Sequence, residues 1–141
     1  MITRPATSAD LPFLRLLHHR AYREVVERQF GAWDEAAQDL WFEQGLATAT
    51  FRIVERDGAA VGAIALSETP GAIELVELQV LPEFQGQGWG TALLSELIQL
   101  SQATQRPLHS RVLRENRARH LYERNGFVIT SETATHVLMQ R

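Results

Sequence analysis

Leu78-Gln79-Val80-Leu81-Pro82-Glu83-Phe84-Gln85-Gly86-Gln87-Gly88-Trp89-Gly90-Thr91-Ala92-Leu93-Leu94 joins an apolar strand, a glycine-rich turn and an amphipathic helix within one short stretch. Upstream, Ala72 to Leu81 is apolar and β-branched between Pro70-Gly71 and Pro82, which predicts a largely buried strand. Downstream, Leu93, Leu94, Leu97, Ile98 and Leu100 recur at helical spacing, with Ser95, Glu96 and Gln99 on the other face. Between the two, Gly86, Gly88 and Gly90 remove Cβ atoms where a ligand would approach the backbone and permit φ > 0. N–H groups aimed outward at a helix N-terminus favour a phosphate or pyrophosphate anion.

Spacing separates the glycine-rich readings of this loop. A Walker A loop ends in Gly-Lys-Ser/Thr, and here Gly90 is followed by Thr91 with no lysine. A dinucleotide-binding fingerprint would place its third Gly or Ala at position 91, which is Thr, and would follow the first strand of a βαβ unit. The stretch resembles instead the acyl-CoA-binding signature of the GNAT superfamily of N-acyltransferases, Gln/Arg-x-x-Gly-x-Gly/Ala after a strand ending in Val-x-Pro. Gln85, Gly88 and Gly90 fill its core, with Val80 and Pro82 at the matching offsets.

A second segment, Glu115-Asn116-Arg117-Ala118-Arg119-His120-Leu121-Tyr122-Glu123-Arg124-Asn125-Gly126-Phe127, resembles the Asn-x-x-Ala-x-x-Leu-Tyr-x-x-x-Gly-Phe segment of the same superfamily. Asn116 stands two residues before Ala118 rather than three, and Glu115 holds the commoner Asn position. Read locally, Asn116 caps a helix over 118–124, and Asn125-Gly126 stops it before a strand opened by Phe127.

The remainder of the chain predicts a strand over 2–6, then a helix capped by Ser8 or Asp10 through about Glu27, with the stripe Leu11, Leu14, Leu17, Ala21 and Val25. Asp34-Glu35 open a second helix to about Ala47. Strands over 50–55 and 60–67 flank the turn signal Asp57-Gly58. The strand over 72–81, the loop and its helix come next, followed by a strand over 108–113, the helix over 118–124 and a terminal hairpin pairing 127–131 with 135–139. This βααβββαβαββ order matches the GNAT arrangement. The expected fold class is α/β (α+β): one domain over 1–141, with a mixed, mostly antiparallel central sheet and helices on both faces.

Length and composition agree. A chain of 141 residues with 45% hydrophobic residues suits a single domain with its own core, and no segment approaches the roughly 20 apolar residues of a membrane span. The opening residues lack an apolar signal-peptide core, so the expected location is cytoplasmic. Without cysteine there is no disulfide framework, thiolate zinc site or cysteinyl acyl-enzyme, so acyl transfer must be direct or use another nucleophile. A net charge of −3 gives no basic field for wrapping nucleic acid.

The resemblance implies an N-acetyltransferase that moves an acetyl group from acetyl-CoA to a primary amine of a small molecule or protein by direct transfer in a ternary complex. No metal is expected. In such folds the strands here at 72–81 and 108–113 splay apart, so that Leu78, Gln79 and Val80 line the pantetheine arm. Gln85, Gly86, Gln87, Gly88, Trp89, Gly90 and Thr91 hold the pyrophosphate through backbone N–H groups, and Asn116 contacts the cofactor. Tyr122 is placed near the CoA sulfur, as cofactor contact and as the acid that protonates the thiolate.

Direct transfer also requires a base, since a lysine-like amine has a pKa of about 10.4. Glu74 and Glu77 interrupt the apolar strand beside the expected thioester. Three residues apart, they point to opposite faces of a regular strand, so one faces the substrate unless a bulge intervenes. Glu77 is the closer to the cofactor stretch, with Glu74 as the alternative. Tyr22, Phe30, Trp33, Trp41 and Phe42 concentrate aromatics in the N-terminal helices, which with the terminal hairpin flank the acceptor side of this fold. Tyr22, Phe30 and Trp33 are therefore candidate acceptor contacts, as is His136, central in the last strand. A homodimer through the exposed sheet or the terminal hairpin is compatible with the sequence. The alternative to an enzyme is a non-catalytic acyl-CoA-binding module for sensing or assembly.

Overall fold

A computed structural model describes residues 2–141. The strands are β1 (Ile2–Pro5), β2 (Thr50–Arg56), β3 (Ala59–Thr69), β4 (Ala72–Val80), β5 (Leu108–Leu113), β6 (Val128–Glu132) and β7 (His136–Gln140). The helices are α1 (Leu11–Phe30), α2 (Glu35–Thr48), α3 (Trp89–Thr104) and α4 (Ala118–Arg124). One seven-stranded sheet runs β1-β2-β3-β4-β5-β7-β6. β4 and β5 pair in parallel and the other neighbours antiparallel. The element order and the mixed sheet are those read from the sequence. None of the described helices is long and apolar enough to cross a membrane.

Alternation along the strands divides the core between the two faces. Ile53 and Ala63 pack under Leu14 and Leu17 of α1 and Phe42 of α2. Their neighbours Val54 and Ile64, with Ile73 and Leu75, pack under Leu93, Leu94 and Leu97 of α3 and Tyr122 of α4. Helices thus cover both faces and hide a sheet that is apolar on both sides.

Local chemistry accounts for the boundaries. Asp57 and Gly58 both have positive φ, 53° and 79°, as a two-residue hairpin turn requires. Asp34 Oδ1 accepts the Ala37 N–H at 3.1 Å and so caps α2. Gly126, at φ 91°, stops the chain after α4. α1 departs from expectation at its start. The Asp10 side chain caps nothing there, because Arg4 Nη1 and Nη2 donate to its two oxygens at 2.8 and 2.7 Å and the Thr7 N–H donates to it as well. Those contacts hold the Asp10 carboxyl well below the usual carboxylate range, the Arg4 hydrogen bonds most of all. Leu11, placed in the apolar stripe by spacing alone, is exposed.

Two irregularities in the sheet matter for function. β4 and β5 pair only from Ile73/Leu108 to Leu75/Ser110 and then separate, so Val76 to Val80 have β3 on one side and no strand on the other. Opposite, the β3–β4 register shifts: Ala65 pairs with Glu77 and Leu66 with Leu75, which leaves Val76 as a bulge.

Candidate active site

The separation of β4 from β5 opens two spaces. The larger is a groove of about 550 Å³ between α1, the free edge of β4, the glycine turn and α4. Leu78, Gln79 and Val80 form its strand wall, and Gln85, Gly86, Gly88, Trp89, Gly90 and Thr91 its turn wall. Asn116, Arg117 and Arg124 close the opposite side.

The glycines do different things. Gly86 and Gly88 take φ 74° and 86°, with open space where a Cβ would stand, so the backbone there is left bare towards the groove. Gly90 is helical; a Cβ on it would lie 2.6 Å from Leu121 Cδ2, so it serves the packing of α3 on α4, not a positive φ. Gln85 Nε2 donates to the Val80 carbonyl at 2.9 Å and ties the turn to the strand. Arg20 of α1 grips Glu83 through two hydrogen bonds of 3.0 and 2.9 Å and ties the same turn to α1. Gln87 lies outside the groove wall, its side chain on Arg56 at 3.1 Å. Asn116 Oδ1 accepts the Ala118 N–H at 2.9 Å in a turn that leads into α4, whose N-cap is Arg117 and not the expected Asn116; the residue is also part of the groove.

The smaller space is a cavity of about 190 Å³ at the parting of β4 and β5. Glu74, Val76 and Glu77 line one side and Arg111 and Val112 the other, with His18, Tyr22, Trp41 and His136 around them. The Val76 bulge is the reason both carboxylates face it: a regular strand would turn one of them away.

Glu77 is the perturbed group. Burial pushes its carboxyl up to about 7, and the hydrogen bond from Tyr22 holds it from going higher. Tyr22 Oη donates to Glu77 Oε2 at 2.7 Å, and Gln79 Nε2 donates to the same oxygen at 3.1 Å. Tyr22 also lines both spaces and so is shared by their walls. Burial, with the Glu77 charge added, raises that phenol well above its ordinary value.

Tyr122 is 3% exposed and lines neither space; its ring packs on Phe127 with centroids 5.4 Å apart. Burial raises its phenol above the usual tyrosine range, and the charge of Glu77 acts in the same direction. His136 lines the cavity, its Nδ1 2.7 Å from Thr135 Oγ1, and burial followed by the Arg111 charge lowers its pKa. His18 is held neutral by burial, with Nε2 3.0 Å from Gln38 Oε1.

Two of the aromatic candidates stand elsewhere. Phe30 ends α1 half exposed and lines neither space. Trp33 packs edge-on to His19, with ring centroids 5.3 Å apart, and belongs to the cluster of Val25, Val26 and Leu113. Arg111 was missed by sequence reasoning, although it breaks an otherwise apolar strand as visibly as Glu74 and Glu77 break theirs. His19, Glu35 and Asp39 also converge between α1 and α2. There Asp39 already accepts from Arg15 Nη1 at 2.8 Å and lies 3.1 Å from His19 Nε2, so the group is an ion-pair network joining the helices.

A family model described as an acetyltransferase (GNAT) domain matches residues 47–129. No curated protein sequence matches the chain. Among solved structures, the PaiA N-acetyltransferase of Thermoplasma acidophilum, in complex with coenzyme A, is similar with a TM-score of 0.82 at 18% identity, over 99% of this chain and 97% of that one. A GNAT family acetyltransferase of Elizabethkingia anophelis with acetyl-CoA bound gives 0.72 at 17%, over 99% and 95%. The ribosomal-protein-S18-alanine N-acetyltransferase of Escherichia coli gives 0.73 at 20%, over 99% and 91%. At such identities the likeness establishes the fold.

Proposed function

The chain belongs to the GNAT acetyltransferase family, and from that premise we propose that it moves the acetyl group of acetyl-CoA directly to a primary amine, with Glu77 as the base. The observation that carries this reading is the shared wall. A groove with bare glycine backbone and a small cavity share one tyrosine, and its phenol is hydrogen-bonded to a carboxyl with a pKa of about 7.

The groove suits the cofactor in shape and in chemistry. The turn at Gly86 and Gly88 and the start of α3 offer backbone N–H groups to a pyrophosphate, and Arg117 and Arg124 add positive charge. The unpaired edge of β4 offers its amides to a pantetheine arm, as an added strand would use them. Acetyl-CoA supplies the activated carbonyl, and a backbone N–H in the 78–80 stretch is assigned to polarise it.

An amine in the cavity is mostly protonated at neutral pH, and attack needs its lone pair. Glu77, ionised above about pH 7, takes that proton first, and the freed lone pair then attacks the carbonyl carbon. Glu74 lines the same cavity and attracts the cationic form of the amine. When the carbon–sulfur bond breaks, the sulfur needs a proton. The family resemblance assigns that proton to Tyr122: its raised pKa keeps the phenol protonated, and its ring, which lines neither space, lies next in sequence to Leu121 on the groove wall. Tyr22 holds Glu77 in place and supports its ionised form.

Thermal melts with acetyl-CoA, CoA, NADH and ATP, followed by thiol release with an amine panel, test the reading. Acetyl-CoA at a hundred times its Kd should raise Tm by roughly 5–10 °C, and at least one amine should release CoA thiol. A shift with NADH or ATP alone, or none with acetyl-CoA, would remove the groove assignment.

A further inference from the structure

The small cavity is electrically two-sided. Glu74 and Glu77 stand on the β4 wall and Arg111 on the β5 wall, just past Ser110, where the two strands part. Among the described residues no carboxylate lies within ion-pairing distance of Arg111 and no hydrogen bond engages its guanidinium. Seven of the chain's fourteen arginines, Arg4, Arg15, Arg20, Arg23, Arg28, Arg56 and Arg106, pair with an acid. Arg111 therefore lines the cavity with its guanidinium unengaged, on the wall opposite the proposed base.

We propose that the acceptor is a small aminocarboxylate, whose carboxylate is taken by Arg111 while its amine faces Glu77. This rests on the acetyltransferase reading of the same site. The planar guanidinium suits a carboxylate, which it binds through two parallel hydrogen bonds. A polyamine would bring a second cation against the Arg111 wall, a like-charge contact, with both carboxylates on the opposite wall. At about 190 Å³ the cavity is smaller than the 300–1,000 Å³ of sites for drug-sized ligands, so a bulky amine such as an aminoglycoside does not fit inside. His136, beside Arg111, has its pKa lowered by burial and by that charge, so it is neutral at pH 7 and leaves Arg111 as the one cation on its wall. Trp41 meets His136 edge-on, ring centroids 6.2 Å apart, and gives the acceptor side chain an apolar surface.

The test is steady-state acetylation by the full chain, read by thiol release. A set of α-amino acids is compared with the corresponding amides and decarboxylated amines, whose amine pKa values lie below and above the parent's. The aminocarboxylates should exceed both neutral analogues in kcat/KM, and Arg111→Met should lower kcat/KM for them by roughly ten- to hundredfold while changing that of the amides less than about threefold. Arg111→Lys should recover part of the loss. Arg111 is exposed and unpartnered, so the Met variant is expected to keep the wild-type Tm, which is measured alongside. Equal rates for acids and amides, preference for polyamines, or an Arg111→Met variant that loses both series alike would overturn the proposal. Those outcomes differ from failure of the transferase reading itself, in which acetyl-CoA raises no Tm and no amine releases thiol.

Discussion

The groove and the cavity share Tyr22 and the β4 strand but are built on different principles. The groove is made largely of main chain: two glycines at positive φ, the start of α3, and a strand edge left unpaired. It recognises by backbone donors and shape, which tolerate many side chains. The cavity is made of side chains from α1, α2, β4, β5 and β7, among them two carboxylates, a guanidinium and two imidazoles. Its chemistry depends on where each ionisable group lands. One space is suited to holding a common cofactor, the other to selecting and deprotonating a particular amine.

If that division is right, damage to one space should leave the other's function intact. The largest effect expected is from Gly88→Glu, which puts a side chain and a negative charge at φ 86° on the groove wall. Acetyl-CoA affinity, measured by calorimetry, should fall more than about a hundredfold, because strain at the turn and repulsion of phosphate act together. Retained affinity would break the comparison at its groove side. On the cavity side, Glu77→Gln should lower kcat/KM by about 10²–10⁴ with acetyl-CoA affinity unchanged; equal loss of both would make Glu77 a groove residue.

The boundary is sharpened by the two phenols. Tyr122→Phe should reduce kcat by about tenfold or more with little change in acetyl-CoA affinity, whereas parallel losses would mean that its ring only supports the core around Phe127. Tyr22→Phe should act less on the rate than on its pH dependence. The lost hydrogen bond favours ionised Glu77, so the carboxyl rises above about 7 and the acid limb of the rate profile moves to higher pH. An unmoved limb would separate Tyr22 from the base.

The groove was legible in the sequence because its parts are contiguous. Strand, turn and helix follow one another from Leu78 to Leu94, and a turn that needs positive φ announces itself by glycine. Even there, spacing did not reveal that Gly90 serves the contact with Leu121 and not the backbone conformation, since that contact joins α3 to α4. The cavity was legible only in pieces. Glu74, Glu77 and His136 stood out as polar residues in strands, but the bulge at Val76 that turns both carboxylates inward arises from pairing with β3, which no local pattern encodes. Phe30 and Trp33 share helical and loop stretches with Tyr22, and composition could not say that only Tyr22 points at the parting strands. Arg111 acquires its meaning from Glu77 across the splay, a relation between β4 and β5 and not a motif.

The central claim is that a carboxyl poised near neutrality, bonded to the tyrosine that both spaces share, takes the amine's proton. Its most direct test is the pH dependence of kcat/KM for wild type and Glu77→Gln with one acceptor amine. A raised carboxyl pKa means the basic form is lost as pH falls through about 7, so wild type should show an acid limb centred near pH 7. In Glu77→Gln that limb should vanish, leaving only the rise due to the amine's own ionisation. The same limb in both proteins would contradict the account and assign the base elsewhere.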